Sequence, residues 1–260
     1  MTILDEIATQ ARRRVDEAKE IHPLTEVMEK ALSLPKKNFE FEKALRGDDI
    51  SFICECKKAS PSKGLIAENF PYVDIAKEYE EAGADCISVL TEPKWFLGSD
   101  KYLKEIAEAV NIPCLRKDFT VDEYMIYEAR NLGASAVLLI CSILREQQLL
   151  QYIDICNALG ISALVETHDE KEVEMALKVG ARIIGVNNRN LKDFSVDTEN
   201  SRRLRSMIPS NVVFVSESGV RGPSDVAALR DIGADAVLVG ETLMRAEDKK
   251  KKLAELKGNV

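Results

Sequence analysis

Short apolar runs alternate with amphipathic stretches along most of this 260-residue chain. The runs lack the polar alternation of half-exposed strands, so they fit strands that are buried on both faces. Strands that alternate with helices in this way are typical of parallel βαβ units. We predict eight strands, at residues 50–56, 85–90, 112–116, 135–141, 161–166, 182–186, 211–216 and 235–239. We predict the helices between them at residues 72–82, 101–110, 121–132, 144–159, 170–179, 198–208 and 224–232.

A weak internal repeat supports the count of eight strands. A Gly-Ala pair recurs after a helical stretch at intervals of roughly fifty residues, a period typical of repeated supersecondary units. Its four copies are Gly83-Ala84, Gly133-Ala134, Gly180-Ala181 and Gly233-Ala234. Each glycine is expected to end a helix and lead into the next strand. Two strand-helix units fit within each period, and the four copies therefore give eight strands.

Eight parallel strands in a chain of this length favour a closed (β/α)8 TIM barrel. An open doubly wound sheet is disfavoured because no GxGxxG follows the first strand and no GxxxxGK[ST] occurs. Residues 1–46 are mostly charged and helix-favouring, with apolar positions near helical spacing at Ile3, Leu4, Ile7, Ala11, Val15, Ala18, Val27, Ala31 and Leu32. Phe39 and Phe41 then offer an apolar contact with whatever follows. We predict one domain over residues 1–260, with an N-terminal helical extension at 1–46 and the barrel at 50–260.

Composition and charge argue against several classes of protein. No apolar run is long enough to cross a bilayer, and the first residues lack a secretory signal, so a cytoplasmic protein is expected. The net charge of −8 argues against a nucleic-acid surface. The six cysteines form no CxxC pair and the two histidines are far apart in sequence. We therefore expect neither disulfides nor a zinc or His-rich metal site.

The first predicted strand ends in the residues that are most typical of a catalytic site. Glu55 and Lys57 lie two positions apart and share one face of the strand, where an unpaired buried charge would be costly. A surface ion pair would explain this strand end if it were the only one of its kind. Other predicted strands end in similar residues, and the C-terminal ends of barrel strands meet at one rim. Those other ends are Arg116-Lys117-Asp118-Phe119, Glu166, Asn187-Asn188-Arg189, Glu217-Ser218-Gly219 and Gly240. Their convergence predicts an active site at the C-terminal rim.

Two glycine segments near the last strands suggest a phosphate site. Gly219 follows strand seven, and Gly240 opens the final helix, where backbone N–H groups can bind an anion. Ser60 and Ser62 could add hydroxyl donors from across the rim. The alternative is that both glycines only make tight turns.

Lys117 is the best candidate for a general acid. A lysine among other cations and partly removed from water is expected to have a lowered pKa. Glu166 and Glu55 are the complementary carboxylates. Trp95, Phe96 and Phe119 follow strands two and three and could line the site with aromatic surface, although a core role fits the two phenylalanines equally well.

Several segments together carry a resemblance that extends over essentially the whole chain. They are residues 55–62 (ECKKASPS), 115–119 (LRKDF), 164–168 (LVETH), 185–191 (GVNNRNL), 216–219 (SESG) and 239–244 (VGETLM), besides the N-terminal extension. With these segments the chain resembles the indole-3-glycerol phosphate synthase family, the decarboxylating, ring-closing lyases of tryptophan biosynthesis. The resemblance implies a metal- and cofactor-independent carboxy-lyase acting on 1-(2-carboxyphenylamino)-1-deoxyribulose 5-phosphate.

The resemblance also implies roles for the catalytic side chains. Lys117 would protonate the sugar carbonyl as the ring closes, and Lys57 would pair with the anthranilate carboxylate and serve as a second acid. Glu55 would hold Lys117 and stabilise the cationic ring, and Glu166 would take part in the proton transfers of dehydration. Asn187 completes the catalytic set.

The remaining implied roles concern substrate binding. Arg189 and Asn187 would hold the sugar and carboxylate side, Glu217 and Ser218 would support the site, and Phe96 and Phe119 would pack on the ring. The phosphate would fall to Ser60, Gly219 and Gly240, with Ser62 nearby. Glu241 stands where some family members have serine, and because a carboxylate would repel phosphate we predict that it points outward.

Other interpretations remain open at this point. The chain could be another sugar-phosphate barrel, either an isomerase or an aldolase with Lys117 or Lys57 as a Schiff-base nucleophile. A metal-dependent lyase would use Glu55, Glu166 and Glu217, but the lysines would compete for the same space. The non-enzymatic alternative is a barrel that binds a phosphorylated ligand without catalysis. In every case the expected partner is a phosphorylated small molecule, and we expect a monomer or weak homo-oligomer.

Overall fold

Eight parallel strands form a closed barrel in the computed structural model of the chain, which describes residues 3–190 and 194–259. Each strand pairs with the next along the chain and the eighth pairs with the first, so the predicted (β/α)8 barrel is confirmed. Leu191, at the end of the 185–191 segment, lies outside the described residues. The strands are β1 Ser51–Cys56, β2 Cys86–Leu90, β3 Cys114–Lys117, β4 Ala136–Ile140, β5 Ser162–Thr167, β6 Ile183–Asn187, β7 Val213–Glu217 and β8 Ala236–Val239.

Helices connect the strands and also precede the barrel. The first three are α1 Ile3–Ile21, α2 Leu24–Ser33 and α3 Glu40–Ala44. The others are α4 Tyr72–Glu81, α5 Asp100–Ala109, α6 Glu123–Asn131, α7 Glu146–Leu159, α8 Glu170–Lys178, α9 Glu199–Arg205, α10 Pro223–Asp231, α11 Glu241–Met244 and α12 Lys249–Lys257. A 3₁₀ turn spans Cys141–Ile143, and Ala59–Ser60 pairs with Gly64–Leu65 in a small hairpin after β1. Among the described residues, no helix is long and apolar enough to span a bilayer.

The N-terminal helices pack on the barrel through the apolar positions that the sequence indicates. Ile7, Ala11 and Val15 of α1 are buried, as are Val27 and Ala31 of α2. Leu32 of the same helix is 56% exposed. Helix α2 contacts α6 through the face that carries Val27 and Ala31, and the residue after Ala31 is turned about 100° away from that face.

Period-two alternation sorts each strand into inward and outward side chains. The inward positions form a core inside the barrel that includes Ile53, Leu115, Leu138, Leu164, Ile183, Val215 and Leu238. Phe41 and Leu45, in and just after α3, join this core and are fully buried. The expected apolar contact at Phe41 therefore lies within the core inside the barrel. The four glycines of the Gly-Ala repeat all have positive φ, between 72° and 93°, directly after a helix.

Arg116 does not face the barrel interior, although its neighbour Lys117 does. Its guanidinium lies 2.7 Å from both Asp100 Oδ1 and Glu128 Oε2, and it donates to the carbonyl of Met125 and to Thr91 Oγ1. The side chain is 2% exposed. These contacts join β3 to the helices on either side, so Arg116 has a structural place behind the site.

We expect Arg116→Met to lower the free energy of unfolding by ~3 kcal/mol, because the part-exposed carboxylates of Asp100 and Glu128 and the buried carbonyl of Met125 lose their charged donor. The surface pair of Lys178 and Glu146 provides a control, and Lys178→Met should cost at most ~1 kcal/mol. Urea denaturation of the two variants checks this difference. Equal stabilities would contradict a structural role for Arg116.

Candidate active site

The C-terminal rim of the barrel encloses a cavity lined by the fourteen residues for which the resemblance implies a catalytic or substrate-binding place. Its volume is about 1120 Å³ with the open mouth included. The predicted residues in its wall are Glu55, Lys57, Ser60, Ser62, Phe96, Lys117, Phe119, Glu166, Asn187, Arg189, Glu217, Ser218, Gly219 and Gly240. Five of them are inward positions at or near the strand ends, and barrel closure brings these together: Glu55, Lys117, Glu166, Asn187 and Glu217.

Lys117 lies among carboxylates. Its Nζ is 3.3 Å from Glu166 Oε2 and 3.4 Å from Glu217 Oε2, and its side chain is 15% exposed. Burial lowers the pKa of Lys117, but Glu217, Glu166 and Glu55 together raise it by more, so the pKa is above the ordinary value. The expected lowered pKa is therefore wrong. The sequence suggested neighbouring cations, whereas barrel closure surrounds Lys117 with carboxylates.

Glu55 and Lys57 form a tight ion pair in the same cavity. Lys57 Nζ lies 2.6 Å from Glu55 Oε1, and Ser88 of β2 donates to Glu55 Oε2 at 3.4 Å. Burial opposes the charge on Glu55, but Lys57 and Lys117 outweigh it, so the pKa of Glu55 is lowered. Gly240 leaves room for this pair, since a Cβ there would lie 2.4 Å from Glu55 Oε1.

Glu166 and Glu217 share Lys117, but their environments move their pKa values in opposite directions. Burial opposes the charge on Glu166, and the cations Lys117 and His168 overcome it and hold its pKa well below the usual range. Burial, opposed by Lys117 and reinforced by Glu166, raises the pKa of Glu217 to about 7. Two carboxylates whose pKa values differ in this way can have different protonation states at the same pH.

Gly185 of β6 gives Glu217 the space that it occupies. A Cβ on Gly185 would lie 2.1 Å from Glu217 Oε1, an oxygen that is buried and has no hydrogen-bond partner among the described residues. The added Cβ would clash with the end of the Glu217 side chain, so the Glu217 carboxylate would move and the Gly185 backbone would stay. The absence of a side chain at Gly185 therefore sets where the Glu217 carboxylate lies.

We expect Gly185→Ala to lower kcat roughly tenfold to a hundredfold by displacing Glu217 from Lys117. The matched control is Gly222→Ala, because a Cβ at Gly222 meets no atom within 4 Å. Steady-state kinetics and thermal unfolding of both variants provide the check. Wild-type kcat in Gly185→Ala would contradict the placement of Glu217 by this glycine.

The predicted phosphate end of the cavity has unusual backbone geometry. Ser218 has φ 68° and Gly219 has φ 99°, and left-handed conformations at non-glycine residues concentrate at functional sites. A Cβ at Gly219 would lie 2.8 Å from Thr198 Cγ2, so the turn requires glycine for space as well. Gly240 precedes the short helix α11 and not the final helix, which is α12.

Glu241 lies at the rim of the cavity, and its carboxylate pairs with Lys63 and Arg245, which are not among the residues of the cavity wall. Its Oε1 is 3.0 Å from Arg245 Nε and 3.5 Å from Lys63 Nζ. These two cations lower the pKa of Glu241 against the opposing effect of burial and balance its charge. The Glu241 carboxylate is therefore one member of an ion-pair cluster with Lys63 and Arg245 at this rim.

Apolar side chains cover the other end of the cavity. The rings of Phe96 and Phe119 lie 6.0 Å apart, whereas Trp95 is not part of the cavity wall and carries Lys94 over its ring. Glu92 fixes the loop by accepting from the N–H groups of three successive residues, which end at Phe96. The wall also includes Ile3, Leu4 and Ile7 of α1, which the sequence indicated only as core positions.

His168 is the functional neighbour that sequence reasoning missed. Its Nε2 lies 3.3 Å from Glu166 Oε1 and its Nδ1 lies 3.1 Å from Glu172 Oε2. Its position two residues after Glu166 was the available signal, since side chains two apart along a strand point the same way. Among residues 3–190 and 194–259, no group of three or more His, Cys, Asp or Glu side chains has the arrangement to hold a metal ion.

Comparison with solved structures supports the fold. The chain is similar to 3-hexulose-6-phosphate synthase from Salmonella typhimurium, with TM-score 0.67 and 14% identity over 80% of this chain and 97% of that one. It is also similar to a chain of the tryptophan synthase complex from Pyrococcus furiosus, with TM-score 0.61 and 16% identity over 81% and 98% of the two chains. At these identities the likeness concerns the fold alone.

Comparison of sequences identifies the family. The family model described as indole-3-glycerol phosphate synthase matches residues 4–256. The enzyme of that name from Ruminiclostridium cellulolyticum is 57% identical over 259 residues, covering 99% of this chain and 100% of the relative. The one from Endomicrobium trichonymphae is 51% identical over 256 residues, covering 98% and 99%. The chain therefore belongs to the indole-3-glycerol phosphate synthase family, the carboxy-lyases of tryptophan biosynthesis.

Proposed function

We propose that this cavity closes the indole ring of 1-(2-carboxyphenylamino)-1-deoxyribulose 5-phosphate, with Lys117 as the general acid. The ring carbon that bears the carboxylate attacks the C2 carbonyl of the sugar, after which CO2 and water leave. One proton is consumed overall, because a carboxylate leaves as neutral CO2. The site therefore needs a proton donor at the carbonyl oxygen and a base for the later dehydration.

Lys117 meets the first requirement. Its raised pKa keeps it charged at neutral pH, and its ammonium group lies in the cavity wall between Glu166 and Glu217. A charged donor beside the carbonyl stabilises the alkoxide that develops during attack and can transfer its proton to it. The neighbouring carboxylates then favour the return of a proton to the amine.

Glu55 and Lys57 serve the aryl side of the substrate. Lys57 pairs with the substrate carboxylate until CO2 leaves, which requires the pair with Glu55 at 2.6 Å to loosen. Glu55, with its lowered pKa, is an anion that stabilises the cationic ring formed by attack. Lys57 is then free to act as the second acid, at the departing hydroxyl.

Glu166 is the base of the dehydration. Its lowered pKa keeps it ionised, and its Oε2 beside Lys117 faces the part of the cavity where the new bond forms. It removes a proton from C1 of the former sugar while an acid protonates the leaving hydroxyl. Asn187 and Arg189 hold the sugar hydroxyls and the carboxylate side, and Glu217 and Ser218 support them.

The two ends of the cavity match the two ends of the substrate. Phe96 and Phe119 pack on the aryl ring. The phosphate binds at the backbone N–H groups of Gly219 and Gly240, with Ser60 and Ser62 as hydroxyl donors. A cytoplasmic location and a monomer or weak homo-oligomer remain our predictions for this chain.

A Schiff-base aldolase fits the cavity less well. Such an enzyme needs a neutral lysine as nucleophile, commonly in an apolar pocket or beside another cation. Here Lys117 has carboxylates on two sides, and Lys57 is paired with Glu55. The separate pairing of two lysines with three glutamates at one rim is the observation that carries the acid-base proposal.

Growth of indole fluorescence after mixing the purified, chelator-treated chain with the substrate tests the proposed function. We expect turnover to continue in the chelator. Substrate that binds without turnover would instead support a phosphate-ligand-binding barrel. Turnover that stops in the chelator and returns with added metal would support the metal-dependent alternative.

A further inference from the structure

His168 lies outside the cavity wall, and its imidazole contacts the site at Glu166. Its side chain, 16% exposed, follows the end of β5, and its Nε2 is 3.3 Å from Glu166 Oε1. The other oxygen of the same carboxylate, Oε2, is 3.3 Å from Lys117 Nζ. The Glu166 carboxylate therefore lies between two cationic groups, one in the cavity and one behind it.

The outer side of the imidazole is fixed by a second carboxylate. Nδ1 of His168 lies 3.1 Å from Glu172 Oε2, and the His168 backbone N–H donates to the same oxygen at 2.8 Å. Ser142 Oγ donates to Glu172 Oε1 at 2.5 Å, and Asn200 Nδ2 donates to the His168 carbonyl at 3.2 Å. Residues of the 3₁₀ turn, α8 and α9 therefore restrain the ring and its backbone.

We propose that His168 is a positioning residue, an imidazolium held by Glu172 that orients the Glu166 carboxylate toward Lys117. The inference rests on the proposed function in one respect, which is that Glu166 acts as the base of the dehydration. The contact of Nε2 with Oε1 is an ion pair and not a well-directed hydrogen bond, because no hydrogen bond of good geometry is made by Nε2 among the described residues. The effect of His168 on Glu166 is accordingly one of charge and placement.

The charge state of the imidazole is consistent with this role. Burial lowers its pKa, but the contacts with Glu166 and Glu172 raise the pKa of His168 to about 10. Two further titratable groups lie near this cluster. Burial raises the pKa of the Cys141 thiol, which stays neutral, and the Asp169 carboxylate accepts from the Glu172 N–H. A cation beside Glu166 favours the ionised carboxylate, so loss of that cation raises the pKa of Glu166.

His168→Gln tests the kinetic consequence because glutamine keeps an N–H donor but removes the charge. We expect kcat to fall about tenfold with KM within about twofold, because the dehydration slows while substrate binding is kept. A role in stability alone would lower the melting temperature without lowering kcat of the folded protein. Glu172→Gln, which weakens the support of the imidazolium from outside, should lower kcat by less. If His168→Gln does not fold, Glu172→Gln carries the kinetic test alone.

A second measurement separates this inference from the proposed function. The chain has only two histidines, so a nitrogen-15 spectrum of the imidazoles resolves His168 from the exposed His22, which provides an internal reference. We expect the wild-type His168 ring to remain an imidazolium at pH 8. In Glu166→Gln it should lose its proton about one pH unit or more lower than in the wild type.

The nitrogen-15 spectrum tests the positioning role of His168 even if the chain does not turn over the substrate. A wild-type chain without activity would end the proposed function but leave the spectrum to report on the pair. A neutral His168 at pH 8, or an imidazolium that is insensitive to Glu166→Gln, would overturn the positioning role. An unchanged kcat in the variants that fold would overturn it as well.

Discussion

Lys117→Ala is expected to lower kcat by roughly 10³-fold or more, because it removes both the proton donor and the charge at the developing alkoxide. It also leaves Glu166 and Glu217 without the cation that lies 3.3 and 3.4 Å from them. The pKa values of both carboxylates should then rise, so Glu166 would begin to take up protons nearer neutrality. Initial rates of indole fluorescence measure the loss, and a thermal melt shows whether the variant folds.

Lys117→Arg separates proton donation from charge at the same position. Arginine keeps the positive charge beside the two carboxylates but cannot give up a proton near neutral pH. We expect kcat to fall nearly as far as in Lys117→Ala, whereas KM should change less because the charge remains. If Lys117→Arg retains most of the wild-type kcat, Lys117 acts by charge and the acid must be another group.

Glu166→Gln should lower the rate of indole formation by roughly 10²-fold or more, since glutamine cannot accept the proton removed in dehydration. Ring closure and CO2 loss precede that step and should be affected less. The expected signature is therefore a first turnover in which CO2 is released well before indole fluorescence grows. Rapid-mixing measurements of both products in one reaction give the two rates.

The surface residue Glu146 supplies the control for this substitution. It pairs with Lys178 and its side chain is about half exposed, so Glu146→Gln should leave both rates unchanged. A variant Glu166→Gln in which CO2 release slows as much as indole formation would argue against a base that acts only in dehydration. It would place Glu166 in the ring-closing step as well.

The fold and most of the site follow from local patterns in the sequence. Alternation along the chain predicts all eight strands, because a parallel barrel repeats one local unit and each strand is buried on both faces. Side chains at the strand ends converge because parallel strands all end at one rim. The identity of Glu55, Lys117 and Glu217 as wall residues therefore needed no knowledge of distances.

Pairing between distant strands is what the sequence could not supply. Lys117 and Glu217 are 100 positions apart, and their contact at 3.4 Å depends on how the barrel closes. For that reason the direction of the Lys117 pKa shift was predicted wrongly while its location was predicted correctly. The contribution of Ile3 and Ile7 to the cavity wall depends likewise on where α1 docks, which its own helical spacing does not specify.

The most direct test of the account follows both products of a substrate labelled with carbon-13 in its carboxylate. Released ¹³CO2 and indole fluorescence are recorded together for the wild-type chain and for Lys117→Ala, with chelator present. The account predicts one CO2 for each indole in the wild type and neither product at an appreciable rate in the variant. CO2 release without indole in the wild type, or equal rates in the two proteins, would contradict acid-catalysed ring closure at Lys117.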